Sequence, residues 1–163
     1  MILFFLFVIC ILLIILIITN TIENFRNPNP NDEEFLTKCY KKNLIKEMEP
    51  YYKYSTIIED NNGMLLLTPI EKLKNLSPLG LRDYLFINYV CVDKDYRRKG
   101  IGSKLIKKCI ETAKKENKNL LLTVNIDNNQ ALNLYNKFGF RKHSNIKLKD
   151  SENKVSEMYS LNL

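Results

Sequence analysis

The clearest chemistry in the chain sits in Val92-Asp93-Lys94-Asp95-Tyr96-Arg97-Arg98-Lys99-Gly100-Ile101-Gly102. An apolar run leads into this segment and an amphipathic helical pattern leaves it, so a strand turns into a helix through a glycine loop. Such a loop leaves backbone N–H groups unpaired at the positive end of the helix dipole, which suits a phosphate. Gly100 and Gly102 let the backbone come close, while Arg97, Arg98 and Lys99 add charge. A nucleotide-like or pyrophosphate ligand is expected. The Walker pattern is absent, and Leu105 stands where the dinucleotide fingerprint needs its third glycine. A lone G-x-G also arises as a plain tight turn, so the ligand reading needs a second motif.

That motif is Asn128-x-x-Ala131-x-x-Leu134-Tyr135-x-Lys137-x-Gly139-Phe140. Together with Arg97-x-x-Gly100-x-Gly102, it resembles the GCN5-related N-acetyltransferase (GNAT) superfamily. The resemblance is specific from Leu85 to Lys142, loose to the C-terminus, where Met158-Tyr159-Ser160-Leu161 fits the last strand, and poor before Tyr84. It implies acetyl-CoA as cosubstrate, with no metal. The loop Arg97, Arg98, Lys99, Gly100, Ile101 and Gly102 would hold the cofactor pyrophosphate. Backbone groups around Cys91 and Val92 would pair with the pantetheine arm and polarise the thioester carbonyl, as an extended chain docking on a strand can. Asn128 matches the asparagine near that arm; it also begins a helix and is a candidate N-cap, as is Asn129. Tyr135 matches the tyrosine that commonly protonates the departing thiolate, a role favoured over plain packing on the apolar face of its helix. The sequence departs from the family at the general base. Phe86 stands where several members carry a glutamate, and the strand has no carboxylate, which leaves water, Tyr89 or Asp83.

These residues need elements to hold them. Tyr84–Val92 reads as a central strand, apolar on both faces. A helix is expected over Ser103–Glu116, a strand over Leu120–Ile126, a helix over Asn128–Phe138 stopped by Gly139, and two closing strands over Phe140–Leu148 and Lys154–Leu163. Upstream, Glu33–Met48 reads as one amphipathic helix ended by Pro50. Tyr54–Ile58 and Met64–Ile70 form a hairpin around Asp60-Asn61-Asn62-Gly63. The expected class is α/β: the GNAT fold, a mixed and mostly antiparallel sheet flanked by helices.

The first 18 residues, Met1 to Ile18, are all apolar. As a helix they span about 27 Å, close to a hydrocarbon core. No basic residue precedes the run and no small-residue cleavage site follows it, so 1–19 reads as an uncleaved transmembrane anchor rather than a signal peptide. Residues 20–32 read as a linker and 33–163 as the acetyltransferase domain. Arg26 and Lys38 follow the run, which leans towards a cytosolic body on a single-pass membrane protein.

The remaining composition is mostly exclusion. A single histidine and no CxxC leave zinc sites and Ser/His/Asp triads little to work with. Cys10, Cys39, Cys91 and Cys109 show no short pairing, so no disulfide framework is expected and a reducing compartment is the plainer reading. The net charge of +7 permits anionic partners. It is a solvated lysine face on the plain reading, and no nucleic acid is expected. The function expected is acetyl transfer from acetyl-CoA to a primary amine of a protein, peptide or small molecule near a membrane. The alternative is a non-catalytic acyl-CoA-binding or interaction module with this fold.

Overall fold

The computed structural model describes residues 25–27, 30–40, 46, 50–73, 76, 80–149 and 154–163. The apolar run Met1–Ile18 lies outside them. Among the described residues, no helix is long and apolar enough to cross a membrane.

The elements, in chain order, are β1 (Phe25–Arg26), α1 (Pro30–Thr37), β2 (Thr56–Asp60), β3 (Gly63–Pro69), β4 (Tyr84–Val92), α2 (Ile101–Lys115), β5 (Asn119–Asn125), α3 (Asn129–Lys137), β6 (Arg141–Lys149) and β7 (Val155–Leu161). One seven-stranded sheet runs β1-β2-β3-β4-β5-β7-β6. Every neighbouring pair is antiparallel except β4 and β5, whose connection is the helix α2. The mixed, mostly antiparallel sheet is the one the sequence predicts.

Helices cover both faces, because β4 and β5 are apolar on both sides. On one face Leu105, Ile106, Cys109 and Ala113 of α2 pack against Ile58, Leu65, Leu85, Ile87, Leu120 and Leu122. On the other, Leu36 of α1 packs with Ile57, Met64, Leu66 and Tyr89. Each large aliphatic side chain buried this way contributes about 1.5–3 kcal/mol.

A β-bulge at Asn88 shapes everything that follows. Leu66 pairs with Tyr89 and Leu67 with Ile87, so Asn88 has no opposite number on β3, and its side chain donates to Thr68 Oγ1. A bulge bends its strand and shifts the alternation by one residue. Leu85 and Ile87 accordingly face α2, whereas Tyr89 and Cys91, of the same parity, face α1. The parallel pairing of β4 with β5 stops at Ile87, directly before the bulge. Beyond it the two strands part.

The N-terminal third departs from the sequence reading. Phe25–Arg26, read as linker, is an edge strand on Ile57 and Ile58. The helix α1 begins at Pro30, a favoured first-turn residue, and ends at Thr37 instead of continuing to Met48. Residues 41–45 and 47–49 lie outside the described ones; Lys46 is helical, and so are Pro50, Tyr51 and Tyr52, so Pro50 does not end the helical stretch as expected. The helix α1 stops because Lys38, Cys39 and Tyr40 are each tied to β4. Lys38 Nζ pairs with Asp93 at 2.8 Å, Cys39 forms a disulfide with Cys91, and the Tyr40 hydroxyl bonds the Val90 peptide. Three tertiary ties override a helical periodicity that local propensity only weakly supports.

The disulfide corrects the reading of unpaired cysteines. Cys39 and Cys91 are 52 residues apart in sequence, and only the parity switch at Asn88 turns Cys91 towards α1. Cys109 is a buried free thiol on α2.

Candidate active-site cleft

Where β4 and β5 part, a cleft of about 740 Å³ opens between the end of β4, the start of α2 and one side of α3. Its volume falls within the usual range of ligand sites. One wall is backbone. Val90 directs both its N–H and its carbonyl away from β3, since both meet the Tyr40 hydroxyl. Val92, two residues on, has the same orientation, and its carbonyl accepts from Arg97 Nε at 3.1 Å. Alternation therefore turns the Cys91 peptide towards its β3 partner Met64. Of the two positions expected to meet the pantetheine arm, Val92 lines the cleft and Cys91 does not. Val90 takes its place.

The floor is the loop and the first turn of α2. Arg98 (φ 65°) and Gly100 (φ 83°) both adopt the left-handed conformation, which curls successive N–H groups towards one point. Gly100 is the N-cap of α2, and a side chain there would be strained although space is open. Gly102 answers a different demand. A Cβ on it would lie 3.3 Å from Leu134 Cδ2, a tight contact that would require the leucine to give way by a few tenths of an ångström where α2 meets α3. Arg97, Arg98, Gly100, Ile101 and Gly102 all line the cleft. Lys99 does not, because its ammonium sits over the Tyr96 ring at 4.7 Å from the centroid.

The opposite wall is α3. Asn128 is its N-cap, and the side-chain oxygen accepts from Ala131 N–H at 3.1 Å. This settles the capping role on Asn128 over Asn129, and both residues reach the cleft. Tyr135, nearly two turns further in, also lines it while being only 7% exposed, its ring packed on Phe140. Burial pushes the Tyr135 phenol well above its ordinary value, and the neighbouring Tyr40 and Cys109 push it the same way. It is a group that holds its proton.

Among the described residues, no aspartate or glutamate lines the cleft. Phe86 belongs to an apolar cluster with Leu121 and Met158. Tyr89 is buried edge-on to Tyr40 at 4.6 Å, and Asp83 contributes its carbonyl to the Asn119 N–H at the far end of β4. Neither alternative base is part of the cleft. No group of three metal-ligating side chains occurs among the described residues. Tyr40 and Val90 are the site residues that sequence reasoning missed. No motif links positions 50 residues apart, although counting back two from Val92 along a strand would have found Val90.

A strand that splits from its parallel neighbour above a left-handed loop and a helix N-terminus leaves an open backbone edge beside inward-turned N–H groups. The chain matches the acetyltransferase (GNAT) family over residues 21–140, and it belongs to that family. An uncharacterized N-acetyltransferase of Methanocaldococcus jannaschii is 36% identical over 73 residues, covering 44% of this chain and 32% of that relative's length. Solved structures share the fold. Ard1 from Thermoplasma volcanium matches at a TM-score of 0.60 with 21% identity, over 84% of this chain and 95% of that one. NAA60 of Arabidopsis thaliana, in complex with acetyl-CoA, matches at 0.62 with 18% identity, over 85% and 98%. A GNAT acetyltransferase from Elizabethkingia anophelis with acetyl-CoA bound matches at 0.59 with 19% identity, over 86% and 99%.

Proposed function

We propose that the chain is an acetyl-CoA-dependent N-acetyltransferase that passes the acetyl group directly to a primary amine. The observation that carries this is the parted β4–β5 edge, with the Val90 peptide on one side and the Tyr135 phenol on the other. Acetyl-CoA, as bound in two of the related structures, fits this division. Its pyrophosphate would sit on the N–H groups from Arg98 to Gly102, with Arg97 and Arg98 alongside. The pantetheine amides would run along Val90 and Val92 as a further strand, beside Asn128.

In the transfer, the amine nitrogen attacks the thioester carbonyl, whose oxygen gathers negative charge. The Val90 N–H, facing the cleft, is the donor placed to stabilise it. The C–S bond then breaks, the thiolate takes a proton from Tyr135, and water returns one to the phenol. The amine must arrive unprotonated, because no carboxylate in the cleft accepts its proton. Its second proton leaves to water. The same absence favours a second reading, a module that binds acyl-CoA without turnover.

The run Met1–Ile18 would anchor the body to a membrane, with Arg26 and Lys38 placing it on the cytosolic side. Incubating the purified full-length chain in detergent with acetyl-CoA and a panel of peptides and small amines tests the activity. Thiol release with an acetylated product is the expected result. Binding of acetyl-CoA without product from any amine would establish the module instead. Carbonate extraction and protease digestion of sealed vesicles test the anchor; release from the membrane, or protection of the body inside, overturns it.

A further inference from the structure

Three consecutive residues, Lys38, Cys39 and Tyr40, clasp the end of β4 at Asp93, Cys91 and Val90. The ties differ in kind. The Lys38–Asp93 pair is exposed and screened by salt. The Tyr40 hydroxyl donates to the Val90 carbonyl at 3.0 Å and accepts from the Val90 N–H at 3.1 Å. It thus satisfies both backbone groups of Val90, whose N–H the acetyltransferase reading assigns to the acyl carbonyl. The disulfide between them is covalent, with Cα atoms 5.6 Å apart. Tyr40 therefore behaves as a tethered ligand, and anything docking on β4 must compete with it at a high effective concentration.

We infer that the Cys39–Cys91 bridge is a redox-exchangeable site, acted on by a dithiol reductant, and that its state controls access to the β4 edge through Tyr40. This rests on the acetyltransferase reading of the cleft. Cys39 lines the cleft, whereas Cys91 is fully buried, so an incoming thiolate reaches the Cys39 sulfur. Its attack breaks the S–S bond, and Cys91 leaves with the electron pair and takes up a proton. The reductant's second thiol then displaces Cys39, closing the reductant's own disulfide. Two electrons and two protons pass from the dithiol to the two cysteines. Arg97 Nη2 lies 3.9 Å from the Cys39 sulfur, a charge that favours the second leaving thiolate.

Opening the bridge leaves Tyr40 held by hydrogen bonds, the packing of its ring on Tyr89 and the screened Lys38–Asp93 pair, with no covalent tie to β4. The segment can then swing clear and free the Val90 N–H for the thioester oxygen. In a compartment that keeps thiols reduced the site stands open, and an oxidising episode closes it. Cys109 is sequestered in the core, so the switch uses this pair alone among the described cysteines.

The test measures acetyl-CoA affinity by calorimetry on the full-length chain, oxidised and then reduced with a dithiol. Thiol trapping and peptide mapping verify the state of Cys39 and Cys91. Reduction is expected to tighten binding by roughly ten- to a hundredfold, the scale of two hydrogen bonds no longer in competition. In Tyr40→Phe, which keeps the ring but not the hydroxyl, the ratio between oxidised and reduced forms should collapse towards one. Cys39→Ser should behave as the reduced protein, and reduction of the unaltered chain serves if that variant does not fold. Equal affinity in both states overturns the switch while leaving the acetyltransferase reading intact. Failure to form the bridge under oxidant overturns it too. Absence of binding in either state removes the acetyltransferase reading itself, and the switch with it.

Discussion

Tyr135 is the residue on which the proposed chemistry turns. Its phenol is pushed up by burial first, then by Tyr40 and Cys109, so it keeps its proton throughout the range in which a thiol near pKa 8.5 ionises. Replacing it with Phe retains the packing on Phe140 and removes only the donor. For Tyr135→Phe, kcat should fall roughly a hundredfold with little change in the KM for acetyl-CoA, measured by thiol release. An unchanged kcat would reduce Tyr135 to a core residue. The absent carboxylate makes a second claim at the same scale. With no enzymic base, log kcat/KM should climb by one per pH unit until the acceptor reaches its own pKa. That break falls at about 7.7–8.0 for a terminal α-amine and at about 10.4 for a lysine. A plateau starting near pH 5 would instead reveal a base outside the cleft residues described.

Among the elements, the hairpin and the loop helix depend on one contact. A Cβ on Gly63 would lie 2.5 Å from Ile101 Cγ2 and 3.0 Å from Leu105 Cδ1. The glycine, read in the sequence as part of a turn, is in fact the first residue of β3, and its smallness lets the first turn of α2 sit on the sheet. Gly63→Ala must push Ile101 outward and with it the loop that ends at Gly102. The expected cost is about 1–3 kcal/mol in denaturant melts, with acetyl-CoA affinity weakened as well. Normal stability with normal affinity would show that the helix start adjusts freely. This scale also shows what a sequence reveals. The strand Tyr84–Val92 was legible to its last residue because a buried strand writes a continuous apolar run. The glycine loop and α3 were legible because a left-handed turn, a close helix approach and capping demand particular residue types. The bulge was not, because it is an event of register between two strands. Its one trace is Asn88, the lone amide in an otherwise apolar and aromatic run. The disulfide, the Val90 peptide and the early end of α1 all follow from that bulge, so the sequence concealed them together.

For the whole molecule, buried acids set the alkaline limit of stability. Burial raises Tyr135 and Cys109 far above their usual values and raises Tyr40 as well, against the opposing pull of its bond to Val90 and of Arg97. An acid whose folded pKa lies above its unfolded one keeps its proton in the native chain while the unfolded chain loses it. Above the ordinary thiol and phenol values, near 9 and 10, the unfolded state therefore binds fewer protons, and stability falls as pH rises. Each such group removes about 1.4 kcal/mol per pH unit until its own folded pKa is reached. At the acid end, Lys38 holds the Asp93 carboxyl below its usual range, so that contribution persists above about pH 4 and is lost only below it. Urea midpoints should be level from about pH 5 to 9 and drop steeply beyond 10. In Tyr135→Phe the decline above pH 10 should be shallower by one group's slope. Phenolate absorbance provides the independent check. In the native chain Tyr135 should ionise only as the fold is lost, so a pH jump to 11 should show a slow phase at the unfolding rate. A decline in Tyr135→Phe as steep as in the parent chain would mean that this phenol ionises as freely folded as unfolded.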